Sequence, residues 1–150
     1  MRLYLDLCCF NRPWDDQSQD RVRLETEAKL LIQERVRSGS ATLAWSYILD
    51  HECSLNPYSE RRSAISRWRS LAAANIVEHA GVLERATEFQ RSGIAAFDAL
   101  HLACAEAASA DMFVSTDDRL LRKAARLSML PAVLPAQALA RLEGWYEDRN

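Results

Sequence analysis

The sequence predicts an α/β fold, with helices on both faces of a mainly parallel sheet and therefore three layers, α/β/α. The main observation is that short strand-like segments alternate with amphipathic helical segments along the chain. A length of 150 residues, with 49% apolar and 27% charged residues, suits one globular domain with a single core. We therefore expect a single domain over residues 1–150.

Five short segments are predicted to be strands, from their apolar or β-branched content and the turn signals around them. They are RLYLD at 2–6, ATLAWS at 41–46, NIVEH at 75–79, DMFVST at 111–116 and AVL at 132–134. Since helical segments separate them, the strands are expected to run parallel, and ligands are expected beyond their carboxyl ends.

Seven segments are predicted to be helices. They lie at 18–39, 46–55, 59–74, 81–93, 95–110, 118–127 and 135–147. The first is expected to bury an apolar side made of Leu24, Ala28, Leu31 and Ile32. Ser46 is a plausible N-cap of the second helix, whereas Gly39 and Gly93 follow helix ends and Pro135 lies near a helix start.

Composition excludes several classes of protein. No apolar run approaches the roughly eighteen residues of a membrane span, and the N-terminus lacks the pattern of a signal peptide, so a cytoplasmic location is expected. The four cysteines, with no CxxC pair, are expected to be buried thiols rather than disulfides or zinc ligands. The net charge of −2 gives no overall attraction to nucleic acid.

Acidic residues stand where strands end or on the inner sides of helices. Asp6 follows the first strand, where a turn or cap aspartate is the plain alternative to a functional one. Asp98 lies in the first turn of a helix, which the helix dipole alone could explain, yet its neighbours Leu102 and Ala105 form an apolar face. His101 is given no role.

Two further positions each offer a choice of acids. Glu52 shares its helix face with Ile48 and Leu49, so we expect it to point inward and Asp50 to face water. Asp117 is closer than Asp118 to the end of the fourth strand. We therefore expect Asp117 to serve the site and Asp118 to cap the next helix.

Together these acids indicate a metal site. Four carboxylates at one sheet edge would raise each other's pKa values, and a hard divalent cation relieves that repulsion. Mg²⁺ and Mn²⁺ both favour oxygen ligands. The predicted ligands and catalytic residues are Asp6, Glu52, Asp98 and Asp117.

Four segments resemble the PIN-domain ribonucleases, in particular the VapC-type toxins of bacterial toxin–antitoxin pairs. They are YLDLCCFNRP at 4–13, SYILDHECS at 46–54, AFDALHLACA at 96–105 and MFVSTDDRLL at 112–121. The resemblance covers nearly the whole chain, and its matches fall on the same four acids. It also implies a supporting Ser115, a Mg²⁺- or Mn²⁺-dependent endoribonuclease activity on RNA, and a cognate antitoxin.

The chain departs from that family just after Asp6. The family usually has Thr-Asn or Thr-Ser there, and this chain has Leu7-Cys8, so Asn11 is a candidate substitute for the lost polar group. The departure supports a second hypothesis, a non-catalytic binding protein of the same fold. A third, phosphotransfer through a strand-end aspartate, is disfavoured because the chain has only two lysines, Lys29 and Lys123.

RNA binding requires cations around the acidic edge. The candidates are Arg61, Arg62, Arg67, Arg69 and Arg119. Four of them belong to ERRSAISRWRS at 60–70, for which a solvated helix face is the equally weighted alternative. A homodimer is expected because it is the commonest soluble assembly.

Overall fold

The computed structural model describes residues 1–147 and shows a five-stranded parallel sheet in the order β3-β2-β1-β4-β5. The strands are β1 Arg2–Leu5, β2 Thr42–Ser46, β3 Ala74–Ile76, β4 Met112–Val114 and β5 Ala132–Val133. Leu3 of β1 pairs with Leu43 on one side and Met112 on the other. The predicted α/β class and parallel sheet are confirmed. The predicted domain reaches residue 150, and residues 148–150 lie outside the described part.

Helices lie on both faces of the sheet, which gives the expected three layers. They are α1 Leu7–Asn11, α2 Asp20–Ser38, α3 Tyr47–Ser54, α4 Ser59–Ser66, α5 Ala80–Arg91, α6 Ala96–Ala107, α7 Asp118–Leu127 and α8 Pro135–Glu143. Helix α2 packs against α8, and α5 packs against α6. Two 3-10 turns, at Arg12–Trp14 and Arg67–Leu71, follow α1 and α4.

The central strands β1, β2 and β4 are largely buried because helices cover both faces of the sheet, whereas Asn75 of the edge strand β3 is exposed. All three residues of β4 are buried, as are Leu3, Tyr4 and Leu5 of β1. Such near-continuous apolar runs are typical of parallel strands with both faces covered. The chain order changes direction between β1 and β4, which lie side by side although β4 comes fourth in the sequence. That switch point is where open α/β sheets place their ligands.

The buried side of helix α2 differs from the predicted one. Ala28 and Ile32 are buried as expected, but Leu24 and Leu31 are 58% and 39% exposed. The inner face is instead formed by Val22, Glu25, Thr26, Ala28, Lys29, Ile32 and Gln33. The assignment failed because this face mixes apolar with polar and charged residues, so apolar spacing alone does not reveal it.

The buried carboxylate on α2, that of Glu25, is paired. Glu25 lies 3.2 Å from both Arg12 and Arg21, and these ion pairs explain how a carboxylate is accommodated on the inner face.

Residues predicted to mark helix ends agree with the structure. Ser46 caps α3 by accepting a hydrogen bond from the Leu49 amide, and Gly39 adopts a left-handed conformation after α2 with φ of +84°. The four cysteines are free thiols, of which Cys9, Cys53 and Cys104 are buried as expected, whereas Cys8 is only partly buried. Helix α1 and its 3-10 turn were not predicted, and the segment expected as one helix over 59–74 divides into α4, a 3-10 turn and the start of β3.

The described helices include none that combines the length and the apolar character needed to cross a membrane.

Candidate metal centre

Asp6 lies where β1 ends and turns into α1. It caps α1, because its Oδ1 accepts a hydrogen bond of 2.8 Å from the Leu7 amide. Its Oδ2 accepts a second bond of 2.9 Å from Ser115 Oγ, at the end of the neighbouring strand β4. The side chain is nearly buried and anchored to two adjacent strand ends, so its carboxylate is held in a defined orientation at the switch point of the sheet.

Cys8 occupies the polar position beside Asp6. Its thiol lies 3.5 Å from Asp6 Oδ2 and 3.4 Å from Ser115 Oγ, and it accepts a hydrogen bond from the Thr116 amide. Asn11 was the suggested substitute, but within residues 1–147 its side chain makes no hydrogen bond to Asp6. Asn11 is the last residue of α1 and lines a cavity together with Glu52, and its part as a substitute polar group stays a prediction.

Glu52 points toward Asp6 from helix α3. Its carboxylate accepts a hydrogen bond from Nε2 of His101, a fully buried residue of α6. On the other side of the ring, Nδ1 lies 2.6 Å from the Tyr4 hydroxyl, which is also 2.6 Å from Ser46 Oγ. An ionised carboxylate can only accept, so Nε2 carries the proton and a neutral ring would accept from Tyr4 at Nδ1.

Asp6, Glu52 and His101 form a compact group of possible ligands. One donor atom from each lies within 4.8 Å of the others. Two carboxylate oxygens and an imidazole nitrogen that has released its proton are a donor set that Mn²⁺ and other divalent cations accept. Sequence reasoning left His101 without a role, although its position three residues after Asp98 places both on one side of α6.

The charges around His101 change its proton affinity. Burial lowers the pKa of His101, but the hydrogen bond to Glu52 and the negative charges of Asp6, Glu52 and Asp98 outweigh that effect. The net result is a pKa above the ordinary value for histidine. The imidazole can therefore carry a positive charge that balances part of the acidic cluster.

Asp98 lies in the first turn of α6 and is half-buried. Burial is the main cause that raises its pKa to about 6, and the charge of Asp6 adds to it. His101 lowers the pKa, while Asp117 and Glu52 raise it further. All four predicted acids are therefore electrostatically coupled.

The four acids nevertheless form two groups. Asp98 and Asp117 line a cavity of about 450 Å³, whereas the compact group in the described residues contains only Asp6 and Glu52 of the four.

The roles expected for Asp117 and Asp118 must be revised. Asp117, not Asp118, caps α7, because its Oδ1 accepts from the amides of Arg119 and Leu120. Asp118 is the first residue of the helix and forms an exposed ion pair of 2.7 Å with Arg21. The cap falls on Asp117 because only this residue keeps the extended backbone of an N-cap. Within residues 1–147, Oδ2 of Asp117 has no hydrogen-bond partner.

Asp50 faces away from the acidic group. It accepts a hydrogen bond of 2.9 Å from Trp45 Nε1 and lies 3.1 Å from the Arg69 guanidinium. Glu52 and Asp50 therefore occupy different sides of α3, as their spacing predicts.

Comparison with known proteins identifies the family. The sequence profile of the PIN domain matches residues 4–127. The chain belongs to the PIN-domain family. In fold, the PIN domain is similar to a chain in the crystal structure of VapBC2 from Rickettsia felis bound to a DNA fragment from their promoter. The TM-score is 0.55, with 18% identity over 89% of this chain and 98% of that chain. No curated protein sequence matches the chain significantly.

The arginines predicted to bind RNA are in different environments in this PIN domain. Arg62 donates to the Asn56 carbonyl, and Arg69 pairs with Asp50, so each already has a partner. Arg67 is exposed and lines a groove with Trp68. Arg61 lies over the ring of Tyr58, and Arg119 borders the cavity that contains Asp98 and Asp117.

Helix α7 carries a basic stripe that the sequence reasoning missed beyond Arg119. Arg119, Arg122 and Arg126 are exposed and recur at helical spacing on one side of α7, and with Lys123 they line a shallow cavity of about 480 Å³. Within residues 1–147 none of the three arginines forms an ion pair. The stripe therefore offers free positive charge beside Asp117.

Proposed function

We propose that this PIN domain is a metal-dependent endoribonuclease that hydrolyses RNA phosphodiester bonds in the cytoplasm. The observation that carries the proposal is the group of Asp6, Glu52 and His101, whose donor atoms lie within 4.8 Å at the switch point of the sheet. Buried and half-buried carboxylates in such proximity are unfavourable without a compensating cation. Asp98 and Asp117, on the adjoining cavity wall, complete the proposed acidic site.

The donor set fits Mg²⁺ or Mn²⁺. Asp6, Glu52, Asp98 and Asp117 would hold the ion, with His101 as an additional nitrogen donor or as the partner that orients Glu52. A bound divalent cation would lower the pKa of a water molecule bound to it and would stabilise the charge that develops on the phosphate. The described residues offer no nucleophile paired with a base in the group itself, so attack by water is the proposed chemistry.

The protein side chains provide preorganisation. Ser115 and Cys8 contact Asp6, and the Tyr4 hydroxyl contacts the ring that holds Glu52. These contacts fix both carboxylates before a cation binds. Preorganised ligands of this kind strengthen metal binding, and loss of such outer contacts typically weakens it about 10- to 100-fold.

RNA binding requires positive charge that the acids do not provide. We propose that the basic stripe of α7 contacts the phosphate backbone, because Arg119 and Lys123 also border the cavity with Asp98 and Asp117. Arg61, which lies over the ring of Tyr58, is a further proposed RNA contact, to a base rather than to a phosphate. Each phosphate contact that is lost should reduce the salt dependence of RNA affinity.

A regulatory partner is part of the proposal. Structural similarity to a chain of VapBC2 supports an antitoxin that binds this protein. An arginine or lysine of such a partner would bind Asp6 and Glu52 by charge-assisted hydrogen bonds and so exclude the cation. The proposed assembly of the free protein is a homodimer.

Calorimetric titration with Mn²⁺ tests the metal site. Wild type should bind Mn²⁺ at millimolar or lower concentration, and Asp98→Asn should weaken the affinity. Asp50→Asn is the matched control, because Asp50 bonds to Trp45 and Arg69 outside the acidic group. Absence of heat from wild type at millimolar Mn²⁺ would refute the metal site.

A non-catalytic binding protein is the second candidate, and Cys8 is the observation that favours it. The Cys8 thiol makes contacts of 3.4–3.5 Å at a position where the family usually has a stronger polar group. Expression in a bacterial host separates the candidates. Wild type should slow growth, Asp6→Asn should not, and co-expression of the adjacent reading frame should restore growth. Equal growth of wild type and Asp6→Asn, with no cleavage of purified RNA in Mn²⁺, favours the binding protein.

A further inference from the structure

A cavity of about 370 Å³ adjoins the acidic group on its β2 side. Glu52 belongs both to the compact group and to the cavity wall. The floor is apolar, with Leu7, Cys53 and Ile65, and the rim carries Trp14 and Tyr58. A cavity of this volume is in the range of sites that enclose small organic groups.

The rim is formed by two exposed aromatic rings with an arginine between them. Tyr58 is 56% exposed and Trp14 is 38% exposed. The Arg61 guanidinium carbon lies 4.0 Å from the centre of the Tyr58 ring and 5.8 Å from that of Trp14. Within the described residues, Arg61 has no carboxylate partner. This arrangement brings together two aromatic rings and a guanidinium, which are groups on which another planar group can stack.

Two carboxylates and one guanidinium belong to residues that line the cavity. Glu52 and Asp15 are the acids, of which Asp15 is paired with Arg12 at 2.8 Å, and Arg61 is the cation. A neutral planar group avoids the repulsion that a phosphate would meet from Glu52. Asn11 and Asn56 also line the cavity, and an asparagine amide can bond to the edge of such a group.

The order of the strands places this cavity and the basic stripe on opposite sides of the acids. Glu52 follows β2, Asp6 follows β1 and Asp117 follows β4, and these three strands are adjacent in that order. The stripe Arg119, Arg122 and Arg126 continues from Asp117 on α7. An RNA strand whose backbone follows α7 and crosses the acids would therefore continue toward the side of the site on which Trp14 and Tyr58 lie.

We propose that the cavity lined by Trp14, Tyr58 and Arg61 binds an unpaired nucleobase of the RNA, next to the phosphodiester that is cut. The proposal rests on the ribonuclease function proposed above and assigns a base-binding cavity beside that site. A base in a duplex is stacked on its neighbours and paired, so it must be turned out before it can enter. Stacking on aromatic side chains provides affinity with little dependence on base identity.

RNA affinity measured without cleavage tests the proposal. A fluorescein-labelled single-stranded RNA of mixed sequence is titrated in EDTA, and anisotropy gives the Kd. Tyr58→Ala and Trp14→Ala should each raise the Kd by about 5- to 100-fold, the range that loss of one stacked base represents. Tyr58→Phe keeps the ring and should stay within about twofold of wild type. Matched controls are Tyr146→Ala and Trp145→Ala, exposed aromatics beyond α8.

An abasic scan shows whether the lost contact is to a base. One abasic site is moved along the oligonucleotide. At one position it should weaken wild-type binding, and there Tyr58→Ala should weaken binding no further. Unchanged RNA affinity in Tyr58→Ala and Trp14→Ala, with melting temperatures like that of wild type, overturns the proposal. If those variants instead lose affinity only for the purified product of the adjacent reading frame, the cavity docks protein and the proposal is also wrong.

The base-binding proposal and the ribonuclease proposal can be tested separately. Cleavage in Mn²⁺ decides whether the protein is a ribonuclease, whereas the titration in EDTA needs no turnover. Cleavage by wild type together with unaltered Kd in both aromatic variants refutes the base cavity alone. RNA binding that depends on Tyr58 without any cleavage in Mn²⁺ refutes the nuclease and leaves an RNA-binding cavity.

Discussion

Nε2 of the buried His101 donates a hydrogen bond to the carboxylate of Glu52, and this bond joins helix α6 to helix α3 across the candidate site. The Tyr4 hydroxyl, 2.6 Å from Nδ1, fixes the ring from its other side. Glu52 is therefore oriented by a chain of contacts that begins in strand β1. The orientation of one proposed ligand depends on residues that would not themselves need to bind the cation.

Tyr4→Phe tests this chain of contacts. Loss of the hydroxyl leaves Nδ1 of His101 without its buried partner, whereas Ser46 keeps its bond to the Leu49 amide. We expect the free energy of unfolding to fall by about 1–3 kcal/mol in urea titrations. The Mn²⁺ affinity should fall about tenfold, because Glu52 is less well oriented. Tyr146→Phe, at a residue 95% exposed, is the control. Unchanged Mn²⁺ affinity in Tyr4→Phe would show that the chain does not orient Glu52.

The two acids of α3 should differ in their effect on RNA cleavage. Glu52→Gln removes a carboxylate charge from the compact group and should abolish cleavage. Asp50→Asn should retain most activity, since its contacts are with Trp45 and Arg69. Initial rates on a labelled RNA measure both. The reverse order of the two rates would assign the site to the other face of α3.

Substitutions of the two acids at the start of α7 should affect stability and activity differently. Asn is about as good an N-cap as Asp, so Asp117→Asn should leave stability almost unchanged while it lowers the cleavage rate strongly. Asp117→Ala should also destabilise the protein by about 1 kcal/mol through the lost cap. Asp118→Asn breaks only the exposed pair with Arg21 and should change neither property much. Thermal melts and cleavage rates of the three variants provide the comparison, and a cleavage defect greatest in Asp118→Asn would refute the assignment.

The strands and most helices follow from local pattern. Continuous apolar runs identify buried parallel strands, and Ser46, Gly39 and Pro135 mark helix ends by chemistry that needs no distant partner. Helix α1 escaped prediction because LCCFN spans little more than one turn, too short to show a helical period. Its cap, Asp6, was considered either as a turn or cap residue or as a functional acid, and the cap is what the structure shows.

The long-range pairs could not be predicted in the same way. Leu24 and Leu31 suggested an apolar face, but Glu25 enters the inner face of α2 because Arg12 and Arg21 pair with it. His101 was missed for the same reason. Its partners lie in β1 and α3, and only the folded chain brings a lone histidine into contact with Tyr4 and Glu52.

The metal-free protein should become more stable when the pH falls from about 7 to about 5. Burial, followed by the charge of Asp6, raises the pKa of Asp98 from 3.8 to about 6, so the folded state holds this proton more tightly than the unfolded chain does. The contribution of Asp98 to stability is therefore greatest below about pH 4 and is lost as pH rises through about 6. Melting temperatures in EDTA should show a larger gain from pH 7 to pH 5 in wild type than in Asp98→Asn. Equal gains in the two proteins would show that Asp98 is not the titrating group.

Cleavage of a purified single-stranded RNA, with and without divalent cation, tests most directly whether the acidic group is a metal-dependent nuclease site. Wild type should cut the RNA in Mn²⁺ or Mg²⁺ and stop on addition of EDTA, and Asp6→Asn, with a melting profile like that of wild type, should not cut under either condition. Cleavage that persists in EDTA or in Asp6→Asn, or no cleavage by wild type in either cation, would contradict the proposed site.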